Sequence, residues 1–589
     1  MAISSRVLSA LCIASALVAQ SPTDVLKLIP ESATSVDLTW RMAEANERYL
    51  KATAALGEKD GLVNFETLTH MAPGDIAPGT IAQVSFRDPE DSPAKNKARK
   101  AADKSAADHP STWKLTLVPV KNPKELAKRL KAKGASAVQS YQWKLGEAPA
   151  QERYLAFRAG YALVSEHKSL VELALKPGPS LEPELAPLAP WLQEHDTVMV
   201  ITEKSIRQAM EEVIQEAHPP SGAPDSPLPG LFKGLAEKVR SSVPHVALAL
   251  DLPKDGSLRV TARAFFKAAS PLASEGAALP ALPGHPLGRL PEGGYALAMG
   301  GQWPLSMGFL QTMASQVPGL KGEDREQLTK LLNAVDDQVL RTSFRLRAPQ
   351  SGEPFVQGMT GVSELKNGKT WLEAMKRQQA WSQAHLGGAF SYQEGVLPEL
   401  PSLTVNIDLG KLAGDKVPPA QMAMIGGLLF GGSRLQISYA VVDEHTLAYA
   451  FGEREALKPL LAELQQRKPL SASKGIQGAE ALLPKDGRFL FYLDPRGLQG
   501  LVASVLKAFT GKDATMTQVA ETLPLTGAIA MDASGIQFTG SARPETLEAF
   551  GKVFSELGKG MGGDKTQQAN PGPGIGEGTA DPEDEDDDA

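Results

Sequence analysis

The sequence predicts an α+β protein, with antiparallel sheets covered by helices and arranged as two similar lobes. Three observations predict it. Four segments share one grammar: Leu or Ile near a proline, a few small or polar residues, a short apolar run, then a helical stretch. Pairs of strand-like runs flank turn signatures. Apolar residues in the helical stretches recur at a period near 3.6. At 589 residues, 42% hydrophobic and 22% charged, the composition is that of a globular protein too long for a single core.

The clearest of the four segments is Leu483–Leu506. Its Pro484-Lys485-Asp486-Gly487 turn leads into the apolar run Arg488–Leu493. Asp494 then stands as a helix cap, with Pro495 at the first helical position. Leu498, Leu501, Val502, Val505 and Leu506 follow along one face. One strand and one helix cannot bury their own apolar faces, so the unit demands neighbours.

In chain order, Arg6 followed by the apolar run Val7–Val18 reads as a secretory leader over residues 1–20. Cleavage is expected after Ala16 or near Ala19. The run is shorter than the roughly 20 residues that a membrane span needs. Val25–Leu50 is the first of the four segments. Asp88–Pro110 has almost no apolar content and reads as a solvated or disordered insertion in the first lobe. Asn122-Pro123-Lys124-Glu125 opens a capped helix. Gly160–Leu175 reads as a strand, a polar break and a helix. Ala186–Ile214 is the second segment, with Ile206, Met210 and Val213 on one helical face.

A hairpin follows, Val246–Leu250 and Leu258–Phe266 around Pro253-Lys254-Asp255-Gly256. The Pro/Ala/Gly-rich residues 271–286 read as a linker between a lobe at 21–270 and a lobe at 287–559. The second lobe repeats the order: Gly288–Met313 is the third segment, and Val339–Leu346 and Phe355–Val362 flank the turn Pro349–Gly352. His445–Leu464 resembles Gly160–Leu175. Leu483–Leu506 is the fourth segment, and Leu525–Met531 and Ile536–Gly540 flank Asp532–Gly535. This recurrence predicts an internal duplication. Residues 560–589 read as a disordered acidic tail.

Charge and sulfur exclude several classes. Nine acids face one base from Gly560 onward, so a net of -8 sits in the tail of a chain whose formal charge is -7. With Arg6 in the leader, the body is neutral and offers no basic field for nucleic acid. Cys12, the single cysteine, lies in the leader, so the mature body has no thiol chemistry, disulfide or Cys-ligated zinc. No histidine spacing matches a zinc motif, and no metal ligand is assigned. His195-Asp196 and Asp443-Glu444-His445 put acids beside imidazoles, but strand neighbours point to opposite faces.

There is no GxSxG elbow. Ser363-Glu364-Leu365-Lys366 and Ser471-Ala472-Ser473-Lys474 fit SxxK without partner motifs. Asn367-Gly368-Lys369-Thr370 lacks the earlier glycine of a phosphate loop and reads as a turn before a capped helix. Asp251–Gly256 lacks the closing acid of a calcium loop, position 262 being Ala. Met299, Met307, Met313 and the run Met422–Phe430 read as core. The segment Asp581–Asp588 is a solubilising tail, with weak contacts to cations or basic partners as its alternative use. No catalytic, cofactor-binding or metal residue is assigned.

The segments quoted, above all Gly160–Leu175 and the proline-led starts, resemble a broad set of uncharacterised exported bacterial proteins known only as a domain of unknown function. That resemblance implies an exported, non-enzymatic protein and carries no catalytic residue. The expectation is therefore a non-catalytic protein of the cell envelope or extracellular space. It would bind a ligand or partner in a cleft between lobes or on a curved sheet. The alternatives are an exported hydrolase with a dispersed Ser/His/acid site, and a scaffold using the acidic tail. No cofactor, transmembrane segment of the mature chain or nucleic-acid partner is expected, and the partner itself is not named by the sequence.

Overall fold

In the computed structural model, the described residues are 24–40, 71, 73–88, 112–134, 136–144, 149–216, 228–280, 283–302, 322–348, 355–385, 388–408, 411, 432, 434–466, 468–510 and 516–561. The leader with Cys12, nearly all of the insertion after Asp88, the tail from 562 and the run 422–430 lie outside them. So do the helical stretches expected after Trp40 and Gln302.

The first half of the chain runs β1 (Ser35–Thr39), β2 (Ile81–Arg87), β3 (Thr112–Pro119), α1 (Pro123–Arg129), β4 (Gln139–Trp143), β5 (Gln151–Arg158), β6 (Tyr161–Ser165), α2 (Lys168–Leu175), β7 (Thr197–Ile201), α3 (Glu203–Glu216), α4 (Leu228–Ser242), β8 (His245–Asp251) and β9 (Leu258–Phe265). Then come α5 (Pro271–Ala278), β10 (Leu297–Gly301), α6 (Glu323–Asp336), β11 (Val339–Leu346), β12 (Met359–Leu365), α7 (Gly368–His385), β13 (Phe390–Glu394), β14 (Ser402–Asp408), β15 (Arg434–Asp443) and β16 (Thr446–Phe451). The chain closes with α8 (Leu457–Gln465), α9 (Lys474–Glu480), β17 (Phe489–Leu493), α10 (Pro495–Thr510), β18 (Leu525–Asp532), β19 (Gly535–Ala542) and α11 (Pro544–Met561).

Among the described residues, all 19 strands join one sheet, and every pairing is antiparallel. Traced by its pairings, the order is β4-β5-β6-β3-β2-β1-β7-β8-β9, then β19-β18-β17-β10-β11-β12-β16-β15-β14-β13. The two halves meet through β9 and β19, eight residues paired against eight. The mixed, antiparallel character is as expected from the hairpin signatures, whereas separate sheets are corrected to a single one. Neither β9 nor β19 is an edge, because each covers the other's backbone N–H and C=O groups.

The three expected strand pairs form, but in the second Phe355–Gly358 is a 3-10 turn before β12, and its turn Pro349–Gly352 lies outside the described residues. Asp532 accepts from the amides of Ser534 and Gly535, and Asp255 from Ser257, which closes two of these turns. The segment read as a linker begins with helix α5. Ser270 caps α5 by accepting from Ala273 N–H, and Leu272, Ala273 and Gly276 are buried. Gly276 lies so close to the β18–β19 turn that a Cβ there would sit 2.1 Å from the Asp532 carbonyl oxygen. The Pro/Ala/Gly composition reflects this close approach.

Alternating residues feed cores on opposite faces of the sheet. On one face, Val36, Leu38, Val198, Val200, Ala247 and Ala249 pack under Leu26, Ile29 and Val171. In the second half, Ala298, Leu490, Tyr492 and Ala528 pack under Leu287, Leu290, Leu460 and Ile476. The other face meets α1, the α3–α5 group and α7. Among the described residues, no helix is long and apolar enough to cross a membrane.

Candidate functional site

Strands β17 and β10 end together beside β11, which continues three residues further to Val339. Gly301, the last residue of β10, pairs with Phe489 on one side and Thr342 on the other. The next residues outward are therefore Arg488, Gln302 and Arg341, and Gln302 N–H donates to the Arg488 carbonyl at 3.0 Å. Gly301 has φ +141, and a Cβ would stand 2.0 Å from the Arg488 oxygen, so only glycine lets β10 end this close to β17.

Above these strand ends is a cavity of about 610 Å³. Its walls come from four places: Pro280 with Gly284–Pro286, the β10 end, Arg341, and Glu480 with Leu483–Arg488 and Leu490, which include the Pro484–Gly487 turn. The turn that opens the fourth sequence segment is thus part of the wall. Arg488 pins two segments, donating to the Met531 carbonyl at 3.0 Å and the Pro280 carbonyl at 2.8 Å. Arg341 donates to Glu364 at 2.7 Å and to the carbonyls of Pro283 and Gly284. Arg289 also reaches Glu364, at 3.4 Å. One carboxylate therefore faces two guanidinium groups, and positive charge remains on this wall.

His285 closes the cavity opposite α9. Leu287 N–H donates to its Nδ1 at 2.9 Å, so the neutral ring carries its proton on Nε2. That nitrogen is buried without a hydrogen bond and lies 3.4 Å from Glu480 Oε2. Burial pushes the His285 pKa below its ordinary 6.5; the Glu480 carboxylate pulls it up and the Arg341 cation pushes it further down. Glu480, Lys485 and Asp486 are exposed at the rim. None of the described lining residues carries a hydroxyl or a thiol.

The other described histidines are fasteners. His195 Nδ1 meets Asp251 Oδ2 at 2.8 Å, while Asp251 also accepts from Asp196 N–H. The acid that serves His195 is thus the cross-strand Asp251, not its sequence neighbour. His245 meets Glu184 at 2.9 Å, and His445 meets the Leu365 carbonyl. His167 stacks on Trp113 and His385 on Trp381. His70, His109 and His218 lie outside the described residues. Among the described residues, no histidine ring shares a hydrogen bond with a serine hydroxyl.

The SxxK serines serve structure. Ser363 shares a hydrogen bond with Thr342 at 2.8 Å, and Ser471 lies in the 3-10 turn Leu470–Ala472, two residues before Ser473, which caps α9. Asn367 caps α7 by accepting from Thr370 N–H. Sequence reading assigned none of the cavity residues a role, because they converge from positions 280 to 490; the one local signal was the Pro484–Gly487 turn. No family model, no curated protein and no solved structure matches the chain. What the cavity does is argued from its walls.

Proposed function

We propose that the chain is an exported, non-catalytic binding protein whose ligand sits in the cavity between His285, Arg341, Glu480 and Arg488. The observation that carries this reading is the wall itself: fixed charges, apolar Leu483, Leu490 and prolines, and no nucleophilic hydroxyl or thiol. A concave, part-apolar site with a few oriented polar groups is the usual form of a small-molecule site. The leader pattern over residues 1–20 supports export. A hydrolase would need a serine beside a histidine that an acid orients, and the acid-paired His195 and His245 have no such serine.

A duplication of one ancestral unit underlies the fold in this reading. The strand order β4-β5-β6-β3-β2-β1-β7-β8-β9 recurs as β14-β15-β16-β12-β11-β10-β17-β18-β19, with β13 added outside. Backbone bonds outside the strands recur too. Glu31 N–H donates to Pro179 and Leu181 N–H to Ile29; Glu292 N–H donates to Lys468 and Leu470 N–H to Leu290. Trp40 N–H donates to Asp196 as Gln302 N–H donates to Arg488. Buried Trp40 therefore stands in the first half where Gln302 stands in the second.

Native mass spectrometry of protein purified from its own cells tests the reading, comparing wild type with Gln302→Trp. Wild type is expected to carry a small non-covalent adduct that the variant lacks. No adduct, or the same adduct on both, would overturn it.

A further inference from the structure

We infer that the ligand is an organic anion, a carboxylate or phosphate head on a small apolar body; this rests on the binding reading above. Arg488, Gln302 and Arg341 stand side by side on three adjacent strands, one step beyond the paired Phe489, Gly301 and Thr342. All three line the cavity. Adjacent strands lie roughly 5 Å apart, so two guanidinium groups flank one amide within the span of a single ligand. Both are fixed against the same segment. Arg488 donates from Nη1 to the Pro280 carbonyl, and Arg341 from Nη1 to those of Pro283 and Gly284. Among the described residues, neither Nη2 has a hydrogen-bond partner. A guanidinium held in this way presents its remaining donors to an oxyanion.

The charge balance points the same way. Arg488 spends its side-chain bonds on carbonyls and forms no ion pair among the described residues. Arg341 shares Glu364 with Arg289. Three guanidinium groups thus face one carboxylate. The Arg341 side chain is only 12% exposed, and a part-buried cation without a partner is costly, so a bound anion is stabilising there. The acids of the lining do not cancel this charge. Glu480 and Asp486 are exposed, where water weakens their pull. Glu480 already stands 3.4 Å from His285 Nε2, and Lys485 adjoins Asp486 in the same turn. Pro280, Pro286, Leu483 and Leu490 supply apolar wall for a carbon body, which an inorganic ion would leave unused.

The first half supports the assignment by contrast. Thr80 precedes Ile81, the partner of Thr39, as Arg341 precedes Thr342, the partner of Gly301. Asp196 holds the place of Arg488 and Trp40 that of Gln302. Neither cation has a counterpart there.

Gln302→Glu tests the assignment at constant side-chain size. A carboxylate between the two guanidinium groups would pair with them and repel a bound anion. In native mass spectrometry of protein purified from its own cells, adduct occupancy is expected to fall about tenfold or more from wild type to Gln302→Glu. Thermal unfolding of the variant is expected at or above the wild-type temperature. Adduct released from denatured wild type should migrate as an anion in electrophoresis at pH 7, and a phosphorus assay then tells phosphate from carboxylate. A neutral or cationic adduct, an inorganic ion alone, or an adduct retained on Gln302→Glu would overturn the anion assignment. Should Gln302→Glu fail to fold, the charge of the released adduct decides alone. If the adduct is lost from Gln302→Trp but kept on Gln302→Glu, the anion class is wrong and the binding reading stands. If wild type carries no adduct, or Gln302→Trp carries the same one, both fall.

Discussion

Asp494 stands where two demands on one side chain oppose each other. Its carboxylate caps α10, accepting from Gly497 N–H at 2.8 Å. Burial nevertheless raises its pKa above the ordinary 3.8, the Gly497 bond only partly offsetting this. An acid held above its unfolded value binds its proton more tightly when folded. Stability therefore falls as pH rises from about 3.8 through the folded value, and stays lowered at neutral pH. Asparagine is as good a cap without the charge. Asp494→Asn is expected to match or exceed wild-type stability at neutral pH and to flatten this part of the pH profile. Asp494→Ala should lose about 1 kcal/mol. Urea unfolding of the three proteins between pH 4 and pH 7 reads both effects; an Asn variant as weak as the Ala variant would contradict the burial argument.

At the level of elements, the hairpins were legible because Pro253–Gly256 and Asp532–Gly535 carry turn chemistry within four residues. The caps at Asn122 and Asp494 were legible for the same reason, since each bond spans three positions. Helix α5 was not. Its proline, alanines and glycine match a linker in composition, and the reason for them is the β18–β19 turn more than 250 residues away. The overlooked local signal was Ser270 before Pro271, a cap and first-turn pair. If α5 is docked rather than loose, Gly276→Ala must push it off the turn or shift the Asp532 carbonyl. The expected cost is about 1–3 kcal/mol, the range of overpacked cores, read as a lower melting temperature. An unchanged melting temperature would mean that the helix floats.

Across the whole molecule, two runs of strands with one order share a single sheet through β9 and β19. The sequence pointed to a repetition through proline-led strands, turns and capped helices in each half. The merging of the halves was not legible, because strand pairing across 270 residues leaves no local mark. The cavity was hidden for the same reason, its walls coming from four separated stretches. The strand ends of the two halves differ at single residues, Gln302 against Trp40 and Arg488 against Asp196. The most direct test is hydrogen–deuterium exchange that compares the full chain as purified from its own cells with the same chain unfolded, dialysed and refolded to remove its adduct. Protection is expected at residues 283–302 and 480–490, and none at 24–40 or 194–198. No protection, or protection centred in the first half, would contradict a ligand site at the β10–β17 strand ends.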